Sequence, residues 1–244
     1  MKNKAYSALA GVYENLMEVD YDEWAKYVAD NVKKYAPGSS GADVGCGSGA
    51  FTRRFRRMGF DVYGCDLSEE MLTVAARLSR EEGLDITFVR QDARAFTSPR
   101  RLHFITALTD CVNYLNADDM KKAFKRFAKS LVKGGVLFFD ISSEYKLKSV
   151  IADNMFAGDY DDYAYLWFNR PFGGGVEMDI TLFNREENGL FSRKDEHHVQ
   201  YIHTEAEVTA ALNDAGFEVI SVEGHLGAPV KDDCERLNFI AARR

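Results

Sequence analysis

The stretch Ala42-Asp43-Val44-Gly45-Cys46-Gly47-Ser48-Gly49-Ala50-Phe51 puts three glycines within five residues, behind an apolar run and ahead of a helical pattern. Glycine loses more backbone freedom on folding than any other residue, so three together argue for a chain that must turn tightly and stay bare. Phe51, Phe55 and Met58 then fall on one helical face, and Gly59 ends the segment. Strand, glycine loop and helix in that order open an α/β sheet whose ligand sits beyond the carboxyl ends of the strands.

The pattern continues. Phe60 to Cys65 reads as a second strand, and Ser68 caps a helix with Met71, Ala75 and Leu78 inward and Gly83 at its end. Ile86 to Val89 and Phe104 to Leu108 are the third and fourth strands. Asn116 caps a helix striped by Met120, Phe124, Phe127 and Leu131, and Val136 to Ile141 is an apolar fifth strand. Before the loop, Trp24, Tyr27, Val28 and Tyr35 place helix in an N-terminal cap over 1–36. Strands apolar throughout, alternating with amphipathic helices, predict a parallel sheet covered on both faces, a doubly wound α/β fold. The whole chain, 1–244, reads as one domain.

The alternation breaks over 142–203, far longer than an ordinary connection. There Val176, Met178, Ile180 and Leu182 alternate with polar residues, Asn188-Gly189 marks a turn, and a second extended stretch runs to Tyr201. This predicts an inserted antiparallel hairpin that serves as a substrate-binding or lid subdomain. Thr204-x-x-Glu207 is a capping box that restores the α/β order, and Phe217 to Val222 and Leu237 to Ala241 supply two last strands.

Bulk properties exclude several partners. A net charge of −7 does not suit a nucleic-acid backbone, and no apolar run approaches the roughly 20 residues of a membrane span. The start, Met1-Lys2-Asn3-Lys4, lacks a secretory apolar stretch, so the chain reads as cytoplasmic, a monomer or a homodimer. Cys46, Cys65, Cys111 and Cys234 form no C-x-x-C pair, so neither a metal nor a disulfide framework is expected.

Gly45, Gly47 and Ala50 formally satisfy the dinucleotide pattern, with Asp66 standing 21 residues after Gly45, so a nicotinamide-dependent oxidoreductase is one reading. Two further acids point elsewhere: Asp43, just before the first glycine, and Asp92 in Gln91-Asp92-Ala93. A pyrophosphate gains nothing from a carboxylate at Asp43, whereas a ligand bearing an ammonium group does. A third reading is a regulator that binds the cofactor without turnover.

In these motifs the sequence resembles the class I S-adenosylmethionine-dependent methyltransferases, most strongly over Asp43 to Leu137. "DVGCGSG" is similar to their first motif, "GCDLSEEML" to the acidic end of the second strand, "RQDARAF" to the adenine-edge segment and "LVKGGVLFFDI" to the fifth strand. The resemblance implies a Rossmann-like seven-stranded sheet with a C-terminal antiparallel strand, and S-adenosylmethionine as cofactor, leaving as S-adenosylhomocysteine. It implies that Asp43 meets the methionine ammonium and that Gly45, Cys46, Gly47 and Gly49 line the cofactor. Asp66 would bind the ribose hydroxyls, Leu67 and Ala93 would sandwich the adenine, and Asp92 would take its amino group. Leu108 and Thr109, ending the fourth strand, complete the contacts, with Tyr13 and Tyr6 closing from above. His103 and Lys133 depart from the family pattern, outside those contacts.

Methyl transfer needs an aligned nucleophile, shelter from water and, where a proton must leave, a base. "DCVNYL", "WF" and "DEHHVQYIHTEAE" resemble a small-molecule subgroup that includes amino-sugar N,N-dimethyltransferases. The expected acceptor is therefore a small molecule with a nitrogen or oxygen nucleophile. Asn113, Tyr114, Tyr145 and Trp167 are the expected acceptor contacts. His197 and His198 are the candidate catalytic pair; being adjacent on an extended strand, only one can face the site. Tyr160, Tyr163, Tyr165, Trp167 and Phe168 form either the insert's own core or a lid.

Overall fold

The computed structural model describes residues 19–186 and 188–244. Tyr13 and Tyr6 lie outside the described residues, as does the first half of the 1–36 segment. Its described part is α1 (Tyr21–Tyr35), capped by the Asp20 side chain, which accepts from the amides of Asp22 and Glu23. Acids in its first turn and Lys33 and Lys34 in its last suit the helix dipole, and Trp24, Val28 and Val32 form its buried stripe.

Strand β1 (Ser40–Val44), helix α2 (Ala50–Arg57), β2 (Asp61–Asp66), α3 (Glu69–Glu81), β3 (Phe88–Arg90), β4 (Leu102–Ala107), α4 (Ala117–Ser130) and β5 (Leu131–Ser142) follow. After the insertion come α5 (Glu205–Asp214) and two last strands, Phe217–Glu223 and Arg236–Arg243. In spatial order the seven-stranded sheet reads Phe217–Glu223, Arg236–Arg243, β5, β4, β1, β2, β3. β1 to β5 pair in parallel, and Arg236–Arg243 runs antiparallel to both its neighbours. The doubly wound sheet with one C-terminal antiparallel strand is what the sequence predicts.

Both faces are covered because the strands are apolar on both. On β5, Phe138 faces α1, with its ring 5.8 Å from Tyr27, whereas Phe139 turns the other way, 5.2 Å from Phe124 of α4. The chain steps outward from β1 to β2 and β3, then returns to β4 on the other side of β1. The loops after β1 and β4 therefore part at the sheet's switch point, where a crevice opens.

The insertion is larger than a hairpin. Four strands, β6 (Met155–Asp159), β7 (Tyr163–Phe172), β8 (Gly175–Arg185) and β9 (Phe191–Tyr201), form an antiparallel meander. The expected hairpin is β8–β9. β6 and β7 escape a period-two reading because β7 carries large apolar groups on both faces: Tyr163 and Trp167 on one, the exposed Leu166 and Phe168 on the other. The last two strands of the seven-stranded sheet are numbered β10 (Phe217–Glu223) and β11 (Arg236–Arg243). Among the described residues no helix is long and apolar enough to cross a membrane.

Candidate functional site

A cavity of about 480 Å³ opens at the switch point, walled by the glycine loop, the end of β2 with Leu67 and Ser68, the segment Arg90 to Arg94, and Thr109, Cys111, Tyr114 and Leu115. The glycine loop holds its shape through main-chain bonds, Gly45 and Cys46 both donating to the Cys65 carbonyl at 2.8 and 3.0 Å. Gly45 and Gly47 are left-handed, at φ 71° and 54°. A Cβ on Gly45 would collide with the Cys111 thiol, whereas one on Gly47 would meet no protein atom and project into open space. Glycine at 45 serves packing; at 47 it keeps main chain open to a ligand.

Three acids converge on this crevice from β1, β2 and the segment after β3. Asp66 lies on the wall, its two carboxylate oxygens accepting from the amides of Gly47 and Ser68, each at 2.9 Å, while burial pushes its pKa up. Asp43 lies behind the loop, off the cavity wall and 2% exposed. Its oxygens accept from the hydroxyls of Thr52 at 2.6 Å and Thr106 at 2.8 Å, and burial pushes it up to about 6 despite those bonds. Asp92 is on the wall but gripped by Arg94, whose Nε lies 3.0 Å from both oxygens, and that bond holds the Asp92 carboxyl below its usual range. Leu67, 58% exposed, and Ala93 offer apolar surface on the same wall.

The β4 end is strained. Thr109 and Asp110 both take left-handed backbone, at φ 53° and 52°, a conformation costly for a β-branched side chain. A buried polar cluster holds them there. The Asp110 amide donates to Asp140 Oδ2 at 3.0 Å, Arg236 pairs with Asp140, and Gln200 donates to Asp110. Burial raises the Cys111 thiol, helped by the charges of Asp66, Asp140, Asp43 and Asp110. Arg236 balances part of this charge, lying against Asp140 and 3.7 Å from Asp110.

Of the other expected residues, Cys46, Thr109 and Tyr114 line the cavity, but Gly49 and Leu108 do not. Gly49, at φ 81°, opens α2, and Leu108 is 2% exposed in the core against α1. Asn113 is fully buried and bonds the backbones of Ser142 and Tyr201, thereby stapling the β4 loop to β5 and β9. Tyr145 lines a separate surface cavity with Lys148 and Lys231. Trp167 packs edge-on to Phe156 and donates to Asn169 at 2.6 Å, inside the insertion.

The strand register resolves the histidine pair. His198 opposes Met178 on the buried face of the β8–β9 pair and is 2% exposed, with Nδ1 3.3 Å from the Tyr114 hydroxyl and Nε2 2.8 Å from Glu196. His197 opposes Asp179 on the outer face and bonds it at 2.7 Å. The sequence reading missed Asp110, Asp140, Glu196, Gln200 and Arg236. The alternation Glu196-x-His198-x-Gln200 and a lone acid inside the apolar β5 were the available signals; Arg236 left none, because only the fold brings it to Asp140.

The carboxylates at and behind the wall and the open main chain at Gly47 together fit an amino-acid-bearing nucleoside with a net positive head. Residues 42–135 match the family model described as a methyltransferase domain. A protein of Geobacillus sp. (strain WCH70) named as a methyltransferase is 32% identical over 98% of this chain and 99% of its own. The dTDP-3-amino-3,4,6-trideoxy-alpha-D-glucopyranose N,N-dimethyltransferase of Streptomyces venezuelae is 28% identical over 84% of this chain and 86% of its own. The crystal structure of an S-adenosylmethionine-dependent methyltransferase from Clostridium acetobutylicum superposes with a TM-score of 0.90 at 28% identity, covering 98% of this chain and 99% of that one.

Proposed function

The chain belongs to the S-adenosylmethionine-dependent methyltransferase family, and from that premise we propose that it methylates nitrogen or oxygen on a small-molecule acceptor covered by the 142–203 insertion. The observation that carries this reading is a glycine-floored cavity with Asp66 and Asp92 on its wall and Asp43 buried behind the loop. Such a field attracts a cation and repels a pyrophosphate.

When bound, the cofactor supplies a methyl group on a sulfonium sulfur that leaves as a neutral thioether. The residues around it have separate tasks. Asp43 would provide a negative charge beneath the loop for the ammonium, and Asp66, fixed by two amides, would accept from ribose hydroxyls. Asp92, once released from Arg94, would take the adenine amino group, and Leu67 and Ala93 would hold the ring. Tyr114 and Thr109 face the methyl-acceptor side. Of the two histidines, His198 is the one that serves the chemistry, since it alone reaches the cavity wall through a side chain. The amine acceptor in the name of the Streptomyces relative supports a nitrogen nucleophile.

Calorimetry with purified protein tests the premise: S-adenosylhomocysteine binds and NAD does not. Labelled methyl from S-adenosylmethionine then passes into a deproteinised small-molecule extract of bacterial cells. Uptake of NAD alone sinks the reading, and uptake of the homocysteine product without any label transfer favours a binding regulator.

A further inference from the structure

The cofactor pocket leaves one row of the insertion unused. Side chains on β9 alternate, so Glu196, His198 and Gln200 share a face, and all three are at most 4% exposed. Burying a carboxylate, an imidazole and an amide side by side is costly unless each is bonded. Each is: Gln200 to Asp110, His198 to Tyr114 and to Glu196. Tyr114 in turn lines the cavity.

We propose that Tyr114, His198 and Glu196 form a proton relay that accepts the proton shed by the acceptor's nucleophile, with Tyr114 as the catalytic residue and His198 and Glu196 as positioning residues. This rests on the methyl-transfer reading of the cavity. An ionised Glu196 can only accept, so His198 carries its hydrogen on Nε2 and leaves Nδ1 to accept from the Tyr114 hydroxyl. A carboxylate that fixes the tautomer of an imidazole, which in turn activates a hydroxyl, is the division of labour of the hydrolase triads.

The step balances. The nucleophile bonds to the methyl carbon as the carbon–sulfur electron pair stays on sulfur. Its proton passes to the Tyr114 oxygen, the phenol's own proton moves to His198 Nδ1, and the imidazolium so formed sits against the Glu196 charge. Among the described residues, Glu196 on its own strand and Tyr114 bond the ring, the uncharged Met178 of β8 stands opposite it, and Asp110 of the β4 loop lies beyond Gln200. Asp179 and His197 lie on the opposite face. The relay restricts the acceptor to an N–H or O–H nucleophile.

Nitrogen-15 NMR of the full-length protein bound to S-adenosylhomocysteine reads the wiring without an acceptor. His198 holds its hydrogen on Nε2, and Glu196→Gln, whose amide can donate as well as accept, releases that preference so that the Nδ1 tautomer appears. Label transfer into the small-molecule extract falls about 100-fold in Tyr114→Phe. In Glu196→Gln that activity falls as the Nε2 tautomer is lost, while His197→Ala leaves rate and tautomer unchanged. A hydrogen on Nδ1 in the wild type, a tautomer indifferent to Glu196→Gln, or wild-type label transfer in Tyr114→Phe overturns the relay. So does a wild type that binds the product yet labels nothing, since the relay then has no reaction to serve. Should Glu196→Gln not fold, Tyr114→Phe decides alone, because it keeps the ring. Failure of the wild type to bind S-adenosylhomocysteine at all instead removes the methyl-transfer reading beneath the relay.

Discussion

Asp43 is buried where an ionised carboxylate is unfavourable, and two threonine hydroxyls offset only part of that cost. Its folded pKa, about 6, lies above its ordinary 3.8. The raised value means that the group favours folding fully below pH 3.8 and loses that contribution as pH rises through about 6. Asp43→Asn, whose amide can still pair with both threonines, is therefore expected to gain on wild type by something on the order of 3 kcal/mol between pH 4 and 7 in cofactor-free denaturation curves. The same variant is expected to bind S-adenosylhomocysteine at least 10-fold more weakly at pH 7.5 by calorimetry, about the weight of one charge-assisted bond. In wild type, affinity should decline as pH falls below about 6, when the carboxylate takes up a proton. The glycines separate packing from binding. Gly47→Ala is expected to cost about 1–2 kcal/mol, the left-handed penalty alone, yet to weaken product binding strongly, because its methyl enters the ligand's side of the loop. Gly45→Ala adds a collision with Cys111 and is expected to cost about 2–4 kcal/mol in the same unfolding assay.

Secondary-structure elements set which side chains can act. On β9 the pleat sends His197 outward to Asp179 and His198 inward to Tyr114, so neighbours of the same type do different jobs. His197→Ala should change stability by under about 0.5 kcal/mol in urea titration, as surface sites do. Gln200→Leu removes the donor to Asp110, a partner of the strained Thr109-Asp110 turn, and is expected to cost about 1–3 kcal/mol. Helix ends were legible in advance. Ser68, Asn116 and the Thr204–Glu207 box all cap as their residue types dictate, because the partners lie within three residues. β6 and β7 were not legible, since a strand that is apolar on both faces loses the alternation that marks it.

For the whole molecule, the crevice exists because the strand order reverses beside β1, and the acids around it come from β1, β2 and β5 and from the segment that follows β4. Filling it should stabilise the fold through mass action. At 100 times its Kd, S-adenosylhomocysteine is expected to add about 2.7 kcal/mol, which for a chain of this size raises the Tm by about 5–10 °C in calorimetric scans. NAD should leave the transition where it is.

Local chemistry in the sequence determined the glycine loop, the helix caps and the alternation of apolar strands with amphipathic helices, because each of these is decided among residues a few positions apart. From them follow the sheet, its switch point and the presence of Asp66, Leu67, Asp92 and Ala93 around one cavity. The tertiary structure alone decided that Asp43 sits behind the loop, that Asn113 is a staple, and that His198 rather than His197 meets Tyr114. It also brought Arg236 to Asp140 across 96 positions of chain. Strand register and long-range packing make those choices, and neither leaves a mark within any short stretch of residues.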